Sequence, residues 1–198
     1  MSLQSLLIIF ARNPQLGSVK TRLAADIGEE KALDIYKVLL ERTHQITEPL
    51  DIDKLVAYSD YINTDDLWNG YFKVEQTEGD LGKRMHDAFK IGFDSDYERI
   101  VLIGTDCYEL ETSDIQKAFA DLEHHDAVVG PAEDGGYYLI GLSKMVPNLF
   151  HNKSWSTEKL LGETKNEIQN LGLTHTELRT LNDVDQKSDL NEALINLL

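Results

Sequence analysis

The chain has 198 residues, 41% hydrophobic and 27% charged, which is globular composition with enough length for a sizeable core; one domain over 1–198 is expected. Its formal net charge of −16 repels phosphate backbones and anionic lipid, and so excludes general binding to nucleic acid or to a membrane surface. With one cysteine, no apolar run of membrane-spanning length and no basic-then-apolar leader over residues 1–9, a cytoplasmic protein without disulfides is expected.

Apolar residues 6–10 predict a strand buried on both faces. Glu29 to Ile46 shows helical spacing, with Leu33, Tyr36, Leu39, Leu40 and Ile46 on one face. Residues 55–58 read as a strand and 71–76 as a weaker one; 81–93 follow as a helix carrying Met85, Ala88, Phe89 and Gly92 on one side. Arg99 to Ile103 is a second apolar strand, ending at Gly104. The helix after it is expected to start with a capping box of Ser113 and Gln116. Residues 127–129 and 137–142 are strands around a turn at Glu133-Asp134-Gly135-Gly136. A helix near 157–171, a short strand near 174–178 and a last helix over 188–197 complete the chain. Strands alternating with helices predict an α/β fold, a Rossmann-like, mostly parallel sheet flanked by helices. Ligands of such sheets sit beyond the C-terminal strand ends, so the loops there are the place to look for chemistry.

The first of these loops carries Arg12, Gly17, Lys20 and Arg22 within an acidic chain. Gly17-Ser18 can end a turn and cap a short helix from Val19, which sets Lys20 and Arg22 in the first helical turn. Cations there oppose the helix dipole, at roughly 0.3–1 kcal/mol each, unless an anion is held between them. These residues, with Arg84 at the start of the 81–93 helix, are the candidate phosphate and nucleotide binders; for Arg84 the plain alternative is a solvated helix residue. The loop has neither the glycine-lysine arrangement of a P-loop nor the three glycines of a dinucleotide fingerprint.

Asp106 follows an apolar strand in VLIGTDC, and Asp183 and Asp185 precede the last helix in LNDVDQKSDL. Carboxylates at a strand end suit magnesium or manganese, the hard ions that accompany diphosphates. Asp106 with either Asp183 or Asp185 is the expected metal set; alternation in an extended segment turns the latter two to the same side. Glu133 and Asp134 precede paired glycines, which reads equally well as an ordinary tight turn or as a base for substrate hydroxyls. Cys107, with no basic neighbour, reads as a buried thiol, and Trp155 as core or a ligand-facing ring.

In order along the chain, FARNPQLGSVKTRL, GDLGKRM, VLIGTDC, GPAEDGGYYLIGL, WST and LNDVDQKSDL resemble a bacterial glycosyltransferase-like family. That family is associated with arsenosugar biosynthesis and related in fold to molybdenum-cofactor and phospholactate guanylyltransferases. The resemblance implies the glycosyltransferase-A fold of nucleotide-diphospho-sugar transferases. It also implies a metal-binding role for Asp106 and phosphate binding by Lys20 and Arg22. The chain departs from the guanylyltransferases in having only Gly17 in its first loop, and from the family in Tyr108 where a proline is expected. The first expectation is magnesium- or manganese-dependent glycosyl transfer from a nucleotide sugar to a small-molecule acceptor. The alternatives are nucleotidyl transfer from a nucleoside triphosphate, with release of pyrophosphate, and a non-catalytic nucleotide-binding module. Base, sugar, acceptor and oligomeric state stay open.

Overall fold

The computed structural model describes residues 4–196. Its elements follow the chain as β1 (Ser5–Ala11), α1 (Thr21–Ile27), α2 (Glu29–Thr47), β2 (Asp53–Tyr58), β3 (Phe72–Glu75), α3 (Leu81–Asp94), β4 (Arg99–Ile103), α4 (Thr112–Asp121), β5 (Ala127–Pro131), β6 (Tyr137–Leu142), α5 (Leu160–Asn170), β7 (His175–Glu177) and α6 (Glu192–Ile195). The strands form a sheet of order β3-β2-β1-β4-β6-β5-β7. Only β6 runs against its neighbours β4 and β5; the other pairings are parallel. The fold is thus the mostly parallel α/β sheet read from the sequence.

The apolar strands are explained by cover on both faces. Leu7 and Ile9 of β1, with Val101 and Ile103 of β4, point into a core shared with Leu23 of α1, Ile35 and Leu39 of α2, Ile115 of α4 and Leu194 of α6. Leu6, Ile8, Ile100 and Leu102 point the other way, onto Met85 and Phe89 of α3, Ile168 of α5 and Phe150 in the segment before α5. Period-2 alternation between two buried faces therefore appears in the sequence as an unbroken apolar run. Among the described residues no helix is long and apolar enough to cross a membrane.

Local chemistry moves three boundaries. The box at the start of α4 is set by Glu111, whose backbone N–H donates to the Asp114 carboxylate at 3.0 Å, rather than by Ser113 and Gln116; Ser113 already lies inside the first turn. Helix α1 begins at Thr21, two residues later than read, with Val19 buried and Lys20 at the N-cap in the left-handed region, φ 48° and ψ 44°. The last helix shrinks to Glu192–Ile195, behind a 3₁₀ turn at Lys187–Asp189. Leu190 between them is extended and buried, and Asn191 caps the helix by accepting from the Leu194 N–H at 3.0 Å. Leu197, the expected end, lies outside the described residues.

Candidate active site

Four segments meet at the C-terminal ends of β1 and β4. The loop after β1 is fixed by Asn13, only 1% exposed. Its Oδ1 accepts from the Asp60 and Tyr61 N–H groups at 3.1 and 3.3 Å, and its Nδ2 donates to the Tyr61 carbonyl at 2.9 Å. A buried amide that spends its capacity on backbone groups clamps two loops together. Tyr36 of α2 adds a second clamp: its hydroxyl accepts from Arg12 N–H at 2.8 Å and donates to the Arg12 carbonyl at 3.1 Å, with Thr105 Oγ1 at 3.3 Å. Gly17 takes φ +74° in this loop, a conformation glycine adopts without steric cost.

The C-terminal segment arrives by backbone pairing. Leu181 N–H donates to the Pro131 carbonyl at 3.1 Å, extending the sheet past β7, and Val184 N–H donates to the Asp106 carbonyl at 2.9 Å. Leu181 and Val184 are buried, which leaves Asp183 and Asp185 beside Asp106. Lys20 Nζ lies 2.6 Å from Asp106 Oδ1 and 3.2 Å from Asp185 Oδ1, and Arg22 Nη1 is 3.6 Å from Asp185 Oδ2. The Lys20 side chain is 4% exposed whereas those of its two carboxylate partners are almost half exposed.

Burial alone would lower the Lys20 pKa, but the charges of Asp106 and Asp185 and their hydrogen bonds outweigh it and hold the ammonium above its ordinary 10.5. Burial pushes the Asp183 carboxyl up to about 7; the negative charges of Asp106, Asp134 and Asp185 add to this, and Lys20 works in the opposite direction. Cys107 is buried and its thiol is pushed up to about 12, chiefly by burial, which removes it as a nucleophile near neutral pH.

An open cleft of about 270 Å³ runs beside this cluster. Arg12, Arg84, Asp106 and Asp183 stand in its wall, as do Tyr36, Gln76, Tyr137 and Trp155. Its volume is near the lower end of the ~300–1,000 Å³ usual for ligand sites. Arg84 Nε donates to the Gly79 carbonyl at 2.9 Å, which aims the rest of the guanidinium. Gly17, Lys20, Arg22 and Asp185 do not line the cleft; the last three reach it through the Lys20–Asp106 ion pair.

Lys20 is at the N-cap rather than in the first turn of α1, and its ammonium is paired with the two carboxylates. Asp106 and Asp185 share the Lys20 ammonium, and among the described residues no three His, Cys, Asp or Glu side chains group as a metal site. Glu133 and Asp134 are exposed and do not line the cleft; Asp134 Oδ1 accepts from Gly136 N–H at 2.8 Å, an ordinary turn contact.

Sequence reasoning missed Asn13, Tyr36, Thr105 and Gln76. The partners of Asn13 are backbone atoms 47 and 48 positions away, for which no local signal exists. Tyr36 had a weak one, a hydroxyl on the apolar face of α2.

The family described as "Uncharacterized protein conserved in bacteria (DUF2064)" matches residues 44–157. Among solved structures, a protein from Desulfovibrio desulfuricans G20 provisionally described as a nucleotide-diphospho-sugar transferase is 30% identical. It superposes with a TM-score of 0.88 over 98% of this chain and 94% of its own. CMP:2-keto-3-deoxy-manno-octonic acid synthetase complexed with CTP is 9% identical, with a TM-score of 0.59 over 98% of both chains. Rv0371c from Mycobacterium tuberculosis H37Rv, in complex with manganese, is 14% identical, with a TM-score of 0.56 over 100% of this chain and 99% of its own. At the last two identities the likeness is one of fold. No curated protein matches the chain in sequence. The sheet is of the nucleotide-diphospho-sugar transferase type.

Proposed function

We propose that this chain, which belongs to the bacterial DUF2064 family, is a metal-dependent transferase that passes the sugar of a nucleotide-diphospho-sugar to a small acceptor. The observation that carries the reading is the meeting of Lys20, Asp106, Asp183 and Asp185 beside an open cleft with two arginines in its wall. A strongly acidic protein that concentrates cations at the ligand edge of its sheet has the charge distribution a diphosphate requires.

Asp106, with Asp183 or Asp185, supplies carboxylate oxygens only, which fit magnesium or manganese in kind. Such an ion would neutralise charge developing on the departing diphosphate, an effect worth several kcal/mol. Arg12 and the free N–H groups of Arg84 bind phosphate oxygens, for which the planar guanidinium is well shaped. Lys20 and Arg22 stand close enough to Asp185 to share the same phosphates once the donor is seated. On the acceptor side Asp134 keeps Oδ2 for a hydroxyl, while Glu133 is exposed next to it. The manganese complex of Rv0371c, a protein of the same fold, supports the choice of ion.

A second reading is nucleotidyl transfer, favoured by the CTP complex of a CMP-sugar synthetase on the same fold. Against it stands the first loop. The N–H groups of Arg12, Asn13, Gln15 and Ser18 are already hydrogen-bonded within the protein, and Pro14 has none, so these five positions offer no amide to a triphosphate. The by-product decides between the two. Incubation with a panel of nucleotide sugars and triphosphates, magnesium and small hydroxylated or phosphorylated acceptors is expected to release nucleoside diphosphate. Release of pyrophosphate instead would select nucleotidyl transfer, and release of neither would overturn both.

A further inference from the structure

Lys20 stands where a divalent ion would have to bind. Its ammonium is within hydrogen-bond distance of both Asp106 and Asp185, 2.6 and 3.2 Å, and its side chain is almost wholly buried between them. An ion that took the same two carboxylates would face a like charge at contact distance, with little water between to screen it. The ammonium can leave only if another anion accepts it, because a buried lysine without a partner is strongly disfavoured. The remaining nearby carboxylate, Asp183, is one of the expected metal ligands, so an ion bound there would engage it rather than leave it for the ammonium. The diphosphate of the donor would supply the missing oxygens. The left-handed backbone of Lys20 is rare for a residue with a side chain.

We propose that Lys20 is an internal counter-cation that keeps the metal site closed until a nucleoside diphosphate draws its ammonium away, so that metal and nucleotide bind in strongly cooperative fashion. The inference rests on the metal-and-diphosphate reading above and adds an order of events to it. Because the coupling is a property of two equilibria, the nucleotide must tighten the metal by the same factor as the metal tightens the nucleotide.

The test is a titration of the whole protein with manganese, followed by the electron paramagnetic resonance of free ion. It is run alone and with each of the four common ribonucleoside diphosphates, against protein-free blanks for the manganese–nucleotide complex. Wild type is expected to bind manganese weakly alone and roughly 5–150-fold more tightly with the cognate diphosphate. Lys20→Met, which keeps the bulk and removes the charge, is expected to bind manganese alone more tightly than wild type, with the coupling reduced. Equal manganese affinity of wild type with and without the diphosphate that binds would overturn the inference, and so would a Lys20→Met variant no tighter for manganese alone. Should Lys20→Met not fold, as judged by its melting curve, Lys20→Gln takes its place, and the wild-type comparison stands by itself. Failure of the broader reading looks different. Nucleotide binding with no manganese binding in any state would remove the metal, and no nucleotide binding at all would remove the diphosphate site.

Discussion

Lys20 keeps its charge where burial opposes it, and the reason is two carboxylates from distant parts of the chain, Asp106 after β4 and Asp185 before α6. Asp185 lies 165 positions away in sequence, so the spacing of Lys20 and Arg22 signalled an anion site but not which anion fills it in the free protein. Asp106 was legible because it ends an apolar strand. The clamp by Asn13 was not, since nothing near it in sequence names its partners. At the far side of the molecule, Asp126 shows the more usual behaviour of a carboxylate. It pairs with Lys144 and accepts from Thr174 N–H and Oγ1 at 2.9 and 3.0 Å. The hydrogen bond from Lys144 comes first and the Thr174 groups follow, and together they hold its pKa below the ordinary 3.8. The folded chain therefore binds this proton less readily than the unfolded one, so the stabilisation is present above the ordinary carboxylate value and lost as pH falls through the folded one. Urea midpoints measured between about pH 5 and pH 2 are expected to fall less steeply for Asp126→Asn than for wild type. Parallel curves would remove Asp126 from the acid response.

At the level of elements, α3 carries one wall of the cleft, and its position depends on glycines that local propensity disfavours. A Cβ at Gly82 would come 2.2 Å from the Phe150 carbonyl and 2.6 Å from the Trp155 ring. The helix is otherwise well specified: Asp80 caps it by accepting from Lys83 N–H at 2.8 Å, and Phe89 is fully buried. Gly82→Ala should then cost about 1–3 kcal/mol by overpacking against backbone that cannot yield, read from the urea midpoint, and shift the Trp155 fluorescence. An unchanged midpoint and spectrum would show that α3 can slide, and would loosen the cleft geometry built on it. Strands and long helices were readable because their burial repeats along the chain. The start of α1 and the last helix were not, since Val19, Lys20 and Leu190 obey contacts made with distant segments.

For the molecule as a whole, the alternation of strands and helices was enough to read the mostly parallel sheet whose strand-end loops border the cleft. The tight turn at Gly135 and Gly136 was enough to predict that β6 returns beside β5. The composition pointed the same way: with a net charge of −16, the few cations of the first loop and of α3 stand out. What composition and spacing do not encode is which charges neutralise one another, and the pairing of Lys20 with Asp106 and Asp185 is a case of it. The central claim, a metal-assisted diphosphate site at this edge, is tested most directly by the thermal stability of wild type and Asp106→Ala with nucleotide sugars and magnesium or manganese. A ligand at a hundredfold excess over its dissociation constant adds about 2.7 kcal/mol, roughly 5–10 °C for a chain of this size. A shift of that order with one nucleotide sugar is predicted, dependent on the ion and abolished by Asp106→Ala; no shift with any donor, or one indifferent to both ion and Asp106, would contradict it.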